Sequence, residues 1–241
     1  MISVANFARQ SLLCLLCGAA IGVLGHNIFN SSTKSSLQAP ATFDFPPQVP
    51  LADTQMLASK PLAAHTFENG MVATGRSYRY PVTTSPTADN KSAAIDIEIR
   101  YITDGVANRP TMDALLPVFT KIPVAALKPA TMKEKPGLGF YSLFVDRQTA
   151  YFGTCINPQG ITTVTGDQFH ANSNPNPLTS GIPLQRFLPW LMGKQTFRDS
   201  RCLWTLLSTP IDPSAPDATM KTLETTGVNW IRWWQMHFPA A

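Results

Sequence analysis

The sequence predicts an α+β fold, in which an N-terminal transmembrane helix is followed by one domain whose antiparallel sheet is covered by helices. Three observations support this prediction. Residues 94–102 alternate isoleucine or tyrosine with charged side chains, which is typical of a strand with one buried face. Residues 138–156 contain two apolar runs on either side of a polar turn, which is typical of a hairpin. Residues 220–238 repeat large apolar side chains at helical spacing.

The composition provides enough apolar residues for a core and few charges. Of the 241 residues, 44% are hydrophobic and 14% are charged, whereas about 25% charged residues are usual in a soluble domain. The 21 prolines, many of them next to short segments, favour a loop-rich domain over a helical bundle. The net charge is +4, and no run of lysines or arginines could follow a phosphate backbone. We therefore expect no binding to nucleic acid.

The N-terminal residues predict a membrane anchor. Residues 10–29 carry no ionisable side chain except His26 and the two cysteines, and they approach the ~20 apolar residues needed to cross a bilayer. Because the positions that a signal peptidase would read fit poorly, an uncleaved anchor is favoured over a cleaved signal peptide. Arg9 favours a cytoplasmic location for residues 1–9. Both alternatives export the domain, so we expect a single-pass protein of the plasma (inner) membrane with its domain on the periplasmic side.

A linker and the folded domain follow the anchor. Residues 30–50 are rich in serine, threonine and proline, which predicts a flexible spacer. Residues 51–241 are predicted to form the extracytoplasmic α+β domain, with early strands at 75–82 and 94–102. The oligomeric state cannot be read from this pattern.

The charged side chains of the domain form two groups, and neither is predicted to be a site. Asp96 and Glu98 share the solvated face of one strand, where neighbouring carboxylates usually serve solubility rather than acid–base catalysis. A short helix is predicted at 111–122 with a break at Pro117. Several lysines lie at its end and in the loop that follows: Lys121, Lys128, Lys133 and Lys135. We interpret this loop as solvated and mobile rather than as a docking patch for an acidic partner.

Cys155 and Cys202 have three interpretations. Outside the cytoplasm, two cysteines of one compact domain usually pair, and this bond would stabilise the domain by roughly 4 kcal/mol in the loop-entropy account. The second interpretation is two free structural thiols. The third is a nucleophilic Cys155 with His170 or His237 as its base and Asp167 to orient His170. The disulfide is the favoured interpretation, so we predict no catalytic residue.

Three tryptophans surround Arg232 in the last predicted helix. Trp230, Trp233 and Trp234 either pack on the sheet, which is the favoured interpretation, or contact the membrane interface or a partner protein. If they pack on the sheet, Trp233 is the one that we expect to remain outside the core. These four residues are the candidate interaction residues of the chain.

No pattern in the sequence is specific enough to predict a metal or cofactor site. Its four histidines are widely spaced, no HxxxH pair occurs, and no glycine-rich phosphate loop is present. We therefore expect neither a metal site nor a cofactor.

Several motifs occur in an order that resembles a known family. They are GFYSLFVDRQTAYFGTCINPQG at 139–160, TTVTGDQF at 162–169, RFLPWLMG at 186–193, FRDSRCLWTLLSTP at 197–210, and a TLE…W…WW pattern from Thr222 to Trp234. Each motif alone is weak evidence, but their common order makes the match specific. Over roughly residues 40–238 the chain resembles the cyanoexosortase A system-associated protein family. It departs from that family mainly in a longer polar loop at 172–183.

The resemblance implies a cellular role rather than a reaction. Members of that family are similar to the accessory proteins of other exosortases and accompany a cyanobacterial exosortase. That enzyme is a multi-pass transpeptidase that acts on proteins with a C-terminal PEP-type sorting signal, in systems linked to exopolysaccharide. The resemblance therefore implies a non-catalytic membrane protein whose partners are the exosortase and its sorted substrates. The alternatives are an extracytoplasmic thiol or polysaccharide-modifying enzyme that uses Cys155, and a carbohydrate-binding module that uses the tryptophans.

Overall fold

The computed structural model divides the chain into two units, of which one is described in detail. The described residues are 42–51, 54–68, 72–82, 94–103, 111–173 and 201–239, together with Cys17, Gly18 and Gly22. All but the last three belong to the unit formed by residues 40–174 and 199–241. The other unit comprises residues 1–39 and 175–198, and its three described residues are helical. No helix of the described part of the chain is long and apolar enough to cross a membrane.

Three sequence predictions therefore fall outside the described residues. They are most of the anchor at 10–29, the first part of the linker at 30–50, and the segment around the motif at 186–193. The polar loop at 172–183 is also outside them, except for its first two residues.

The described residues of the larger unit form an α+β fold with eight strands, three α-helices and two 3-10 helices. The strands are β1 (Ala58–Thr66), β2 (Val72–Pro81), β3 (Ala94–Ile102), β4 (Met132–Lys135), β5 (Gly139–Asp146), β6 (Thr149–Ile156), β7 (Thr162–Thr163) and β8 (Cys202–Pro210). The helices are α1 (Met112–Phe119), α2 (Gly166–Ser173) and α3 (Pro216–Met236), with 3-10 turns at Val124–Ala126 and Pro129–Thr131. The α+β class is thus confirmed.

One sheet contains all of these strands in the order β1-β2-β3-β8-β6-β7-β5-β4, and β6 also pairs directly with β5. The sequence predicted an antiparallel sheet, whereas the sheet is mixed. Both β5 and β7 run antiparallel to β6, so they must be parallel to each other where Gly139 pairs with Thr162. All other pairs are antiparallel. The single parallel contact arises because the two-residue β7 follows the turn after β6 and pairs beside it.

The predicted hairpin at 138–156 is confirmed. Asp146 pairs with Thr149, and the two residues between them make the turn. Arg147 and Gln148 have φ values of 47° and 62°, the left-handed conformation that a two-residue hairpin turn requires to match the strand twist. Neither residue is glycine or asparagine, so the apolar runs rather than the turn chemistry predicted this hairpin.

The break predicted at Pro117 is wrong, because α1 continues through this residue to Phe119. Proline removes one helical hydrogen bond, the one to the Asp113 carbonyl. The helix then ends within one turn, where the Thr120 N–H and hydroxyl both donate to the Leu116 carbonyl, at 3.0 and 2.6 Å. A helix this short therefore loses little by containing the proline.

The loop predicted after α1 also contains ordered structure. Residues 124–126 and 129–131 form the two 3-10 turns, and residues 132–135 pair with β5 as strand β4. The lysine-rich composition indicated solvent exposure correctly. It did not reveal that the backbone hydrogen bonds are made within the domain.

The folded unit begins before residue 51, within the predicted flexible linker. Phe45 and Val49 are buried in the core. The Tyr78 hydroxyl donates to the Pro46 carbonyl at 2.7 Å, and the Tyr80 hydroxyl donates to the Val49 carbonyl at 2.6 Å. We call residues 42–51 the N-terminal strap. Their buried apolar side chains and the carbonyl groups of Pro46 and Val49 attach this segment to the domain.

The sheet separates two apolar layers. Because side chains alternate along a strand, each strand contributes to both layers. One layer contains Tyr78, Ile97, Phe152 and Leu207 and is covered by α3 and the strap; we call it the α3 face. The other is covered by α1 and the first 3-10 turn, and we call it the α1 face; its members include Trp204, Leu206, Cys155 and Cys202.

Candidate functional site

The two cysteines of the domain lie side by side on the α1 face. Cys155 of β6 is directly opposite Trp204 of β8, and Cys202 comes two residues before Trp204. Cys202 is therefore the diagonal neighbour of Cys155 on the same face of the sheet. The two Cα atoms are 5.8 Å apart, within the usual range for a disulfide, and the two sulfurs are joined. The structure thus pairs the cysteines as the sequence predicted.

This disulfide is inaccessible to solvent. Cys155 is 1% exposed and Cys202 is 0% exposed. The pair lies in one cluster with Trp204, Val164 and residues of α1. A nucleophilic thiol needs an ionised, reachable sulfur, and a buried disulfide offers neither. This arrangement fits a structural role for Cys155.

His237, one of the two histidines proposed as a base for Cys155, lies in an environment different from that of the disulfide. His237 follows the end of α3, and its ring stacks on Trp233 with centroids 3.9 Å apart and planes 8° apart. Its Nδ1 is 2.7 Å from the Trp233 carbonyl oxygen. The apolar residues of α3 belong to the face opposite the disulfide. The side chain of His170, the other proposed base, is outside the described part of the structure.

The candidate interaction residues of α3 divide into buried and accessible members. Trp230 and Trp234 are fully buried. Trp230 packs edge-on against Tyr78 at 5.2 Å, and Trp234 packs edge-on against Phe45 of the strap at 5.9 Å. The favoured interpretation, that these tryptophans pack on the sheet, is therefore confirmed for both.

Trp233 and Arg232 lie at the outer side of the helix. Arg232 is exposed, and Trp233 is half-buried against the core, as expected for the tryptophan left over. The His237 ring covers one face of the Trp233 indole, and Trp234 contacts it edge-on at 4.7 Å. A sugar stacks on an open aromatic face, and one face of this indole is already covered by His237.

A polar cluster that the sequence did not predict joins α3 to the sheet. The Tyr141 hydroxyl of β5 donates to Glu224 Oε1 at 2.5 Å, and Lys133 Nζ of β4 lies 2.8 Å from Glu224 Oε2. The Tyr141 ring stacks on Phe152 at 4.8 Å. Both carboxylate oxygens are therefore occupied by donors, which holds the helix against β4 and β5. The feature of the sequence that could have indicated this cluster is Glu224, a charged residue next to the apolar stripe of α3.

The protonation states of this cluster follow from its surroundings. Burial raises the pKa of Tyr141, and the hydrogen bond to the Glu224 carboxylate raises it further, so the phenol stays neutral. Burial by itself would raise the pKa of Glu224. The hydrogen bonds from Lys133 and Tyr141, with the positive charges of Lys133 and Lys135, outweigh that effect and lower it. The cluster is thus an ionised carboxylate held by a neutral phenol and an ammonium, which suits a structural clamp.

The neighbouring carboxylates of β3 are each paired with an arginine. Asp96 lies 3.7 Å from Arg79 Nε, and both side chains are more than half exposed. Glu98 accepts a hydrogen bond from Arg100 Nε at 2.6 Å, and Arg100 also lies over the Phe119 ring. The two acids therefore each serve an ion pair, which fits the sequence interpretation that they are not an acid–base pair.

One small cavity lies among the described residues. A cavity of about 30 Å³ lies between the strap, β2, β3 and α3, and its lining includes Tyr80, Ile95, Thr222 and Asn229. This space fits about one or two water molecules. Within the described residues, no group of three histidine, cysteine or acidic side chains is arranged to hold a metal ion.

Comparisons with protein families, with curated proteins and with solved structures found no match for the chain.

Proposed function

We propose that this protein is a membrane-anchored, extracytoplasmic and non-catalytic accessory protein of a cyanobacterial exosortase system. In this proposal the anchor at 10–29 spans the plasma membrane once, and the α+β domain lies on the periplasmic side. Its partners are the exosortase and the proteins that the enzyme sorts. The motif order from 139 to 234 supports the choice of system.

The buried disulfide is the observation that carries the non-catalytic part of the proposal. Stable disulfides form in oxidising compartments such as the periplasm, which supports an exported domain. The bond also occupies Cys155, the nucleophile on which the enzymatic alternative depends. The polar cluster at Glu224 has a tight structural arrangement and does not border the cavity, so it adds no support for catalysis.

Thiol labelling of the protein isolated from its host membrane tests the compartment. We expect a Cys155–Cys202 peptide in mass spectra without reductant, and labelling of these two cysteines only after reduction and unfolding, whereas Cys14 and Cys17 of the anchor are counted separately. If Cys155 and Cys202 react at once in the untreated protein, with Cys155 the faster, the result would contradict the proposal and favour the thiol enzyme.

Photo-crosslinking in the host cell tests the partnership. A photoreactive amino acid at Arg232, which is exposed beside Trp233, should capture the exosortase or one of its substrates. The matched control carries the same group at Lys60, an exposed position on β1. If the exosortase and its substrates are absent from the crosslinks at every exposed position tested, the partnership is wrong.

A further inference from the structure

The solvent-exposed side of α1 and of the turns that follow it combines valines with lysines. Val118 at the end of α1 is 41% exposed, and Val124 in the first 3-10 turn is 46% exposed. These two elements contact each other. Lys121 lies between them along the chain, and Lys128 follows; both are exposed. We call these four residues the lysine–valine surface.

This surface has a fixed backbone. Ile122 and Leu127 lie between its members along the chain and are buried in the core. The Ile122 N–H donates to the Thr120 hydroxyl at 3.1 Å, and the Leu127 N–H donates to the Val124 carbonyl at 2.9 Å. The exposed valines are therefore presented by an ordered segment of the domain.

The charge of this region has one sign. No acidic residue occurs between Asp113 and Glu134. Lys133 pairs with Glu224, whereas neither Lys121 nor Lys128 has an acidic group within 4 Å among the described residues. Exposed aliphatic side chains with cations beside them are the combination that an anionic bilayer surface attracts. An acidic protein partner would complement the lysines, but it would not by itself account for the aliphatic side chains between them.

We propose that the lysine–valine surface contacts the anionic lipid headgroups of the membrane. The valines enter the headgroup region, and Lys121 and Lys128 pair with lipid phosphates. The contact would set which side of the domain faces the bilayer. This inference rests on the proposed membrane anchor, because a tether keeps the domain within reach of the surface.

Hydrogen–deuterium exchange of the full-length chain in lipid nanodiscs tests the contact. We compare discs of phosphatidylcholine alone with discs that contain phosphatidylglycerol. Peptides covering residues 117–130 should exchange more slowly in the anionic discs, and 0.5 M salt should remove most of the difference because it screens the charges. Peptides from α3 should exchange equally in both discs.

Two pairs of variants separate charge from apolar contact. A lysine near an anionic surface contributes about a fivefold factor, so Lys121→Gln with Lys128→Gln should weaken the contact about 25-fold. Lys60→Gln with Lys221→Gln removes the same charge from other exposed positions and should leave the protection unchanged. Val118→Ser with Val124→Ser should also reduce protection, unlike Leu57→Ser with Val145→Ser, which alters two other exposed apolar side chains.

The outcomes distinguish this inference from the proposed function. Equal exchange at 117–130 in both discs, in a chain that alkaline carbonate does not extract, would overturn the contact and leave the anchor intact. Carbonate extraction combined with anionic protection would support the contact and contradict the anchor. Loss of protection with the control variants as well would mean that overall charge, rather than this surface, is responsible.

Discussion

The two faces of the sheet are stabilised in different ways. The α3 face is covered by a helix of 21 residues and by the strap, and Trp230 and Trp234 of this helix pack in one cluster with four buried tyrosines of the sheet. The α1 face is covered mainly by a helix of eight residues and the short turns after it, and it contains the disulfide. Helices this short are marginal on their own. We infer that the α3 face is held by packing, whereas the α1 face needs a covalent bond across its strands.

Two adjacent residues of strand β6 face the two covering helices: Phe152 faces α3, and Gly153 faces α1. A Cβ atom at Gly227 of α3 would lie 2.7–2.8 Å from three ring atoms of Phe152. A Cβ atom at Gly153 would instead meet the terminal methyl group of Met112 on α1. The α3 face thus has a rigid ring at its closest approach, whereas the α1 face has a flexible side-chain end. This difference suggests that the faces will respond unequally to changes in volume.

The largest expected effect is on the α1 face, from loss of the disulfide. Cys155→Ala and Cys202→Ala should each lower the free energy of unfolding by about 4 kcal/mol, because the 47-residue loop is no longer closed. Denaturant titration of the full-length chain, followed by tryptophan fluorescence, measures this loss. The double variant is the control, since it removes the same single bond. If it loses the sum of the two single losses, the cysteines act independently.

The second largest effect should be a loss of stability of the α3 face at alkaline pH. Burial raises the pKa values of Tyr78, Tyr80 and Tyr141 above the ordinary value of about 10. Above pH 10 the unfolded chain loses these protons while the folded chain retains them, so stability is full below pH 10 and falls as the pH rises. Each tyrosine should remove roughly 1 kcal/mol between pH 9 and pH 11.

Replacement of one tyrosine tests this assignment. Tyr141→Phe should reduce the alkaline loss by about one third, measured as the difference in unfolding free energy between the two pH values. An unchanged alkaline loss in this variant would mean that other groups cause it.

The two glycines provide a direct comparison of the faces. Gly227→Ala should destabilise the domain by about 1–2 kcal/mol, because the rigid Phe152 ring must move, although alanine favours the helix. Gly153→Ala should cost less than about 1 kcal/mol, because the Met112 side chain can change its rotamer. Thermal unfolding of both variants measures the order. The opposite order would mean that the α1 face is the more tightly packed one.

A small effect is also expected from the polar cluster at the edge of the α3 face. Glu224→Gln should lower the free energy of unfolding by about 1 kcal/mol at pH 7, because the charge-assisted bond from Lys133 is lost. The pKa of Glu224 is lowered in the folded state, so its contribution is present above its unfolded pKa and disappears as the pH falls through the folded one. The variant should therefore lose less stability than the parent chain during an acid titration. An identical acid response of the two chains would contradict this role.

Periodicity and apolar runs predicted the strong elements well. The bounds of β3 agree with the predicted strand at 94–102, and the hairpin at 138–156 has its turn between the two apolar runs. The Thr-x-x-Gln pattern at Thr165 and Gln168 is a local signal of the same kind, and the structure has a capping box there: the Thr165 N–H donates to Gln168 Oε1 at 3.1 Å, and the Gln168 N–H donates to the Thr165 hydroxyl at 3.4 Å. These features depend on local patterns, which a sequence contains in full.

The strap and the polar cluster could not be predicted in the same way. Residues 42–51 contain no periodic pattern. They become part of the core because Tyr78 and Tyr80 of strand β2 donate hydrogen bonds to their carbonyl groups. Glu224 and Lys133 are 91 residues apart, so only the folded chain brings them together. Likewise the sequence placed Trp230, Trp233 and Trp234 on one helix, but the sheet and strap decided which of them are buried.

The sequence alone determined the α+β class, the main strands and the two cysteines able to pair, because alternation, capping and residue type are local properties. The tertiary structure decided that the sheet is mixed, that the cysteines are diagonal neighbours on one face, and that α1 and α3 cover opposite sides. It also decided which lysines and valines share an exposed surface. Each of these outcomes depends on contacts between residues far apart in the chain. Such contacts stabilise the fold only once the strands have paired.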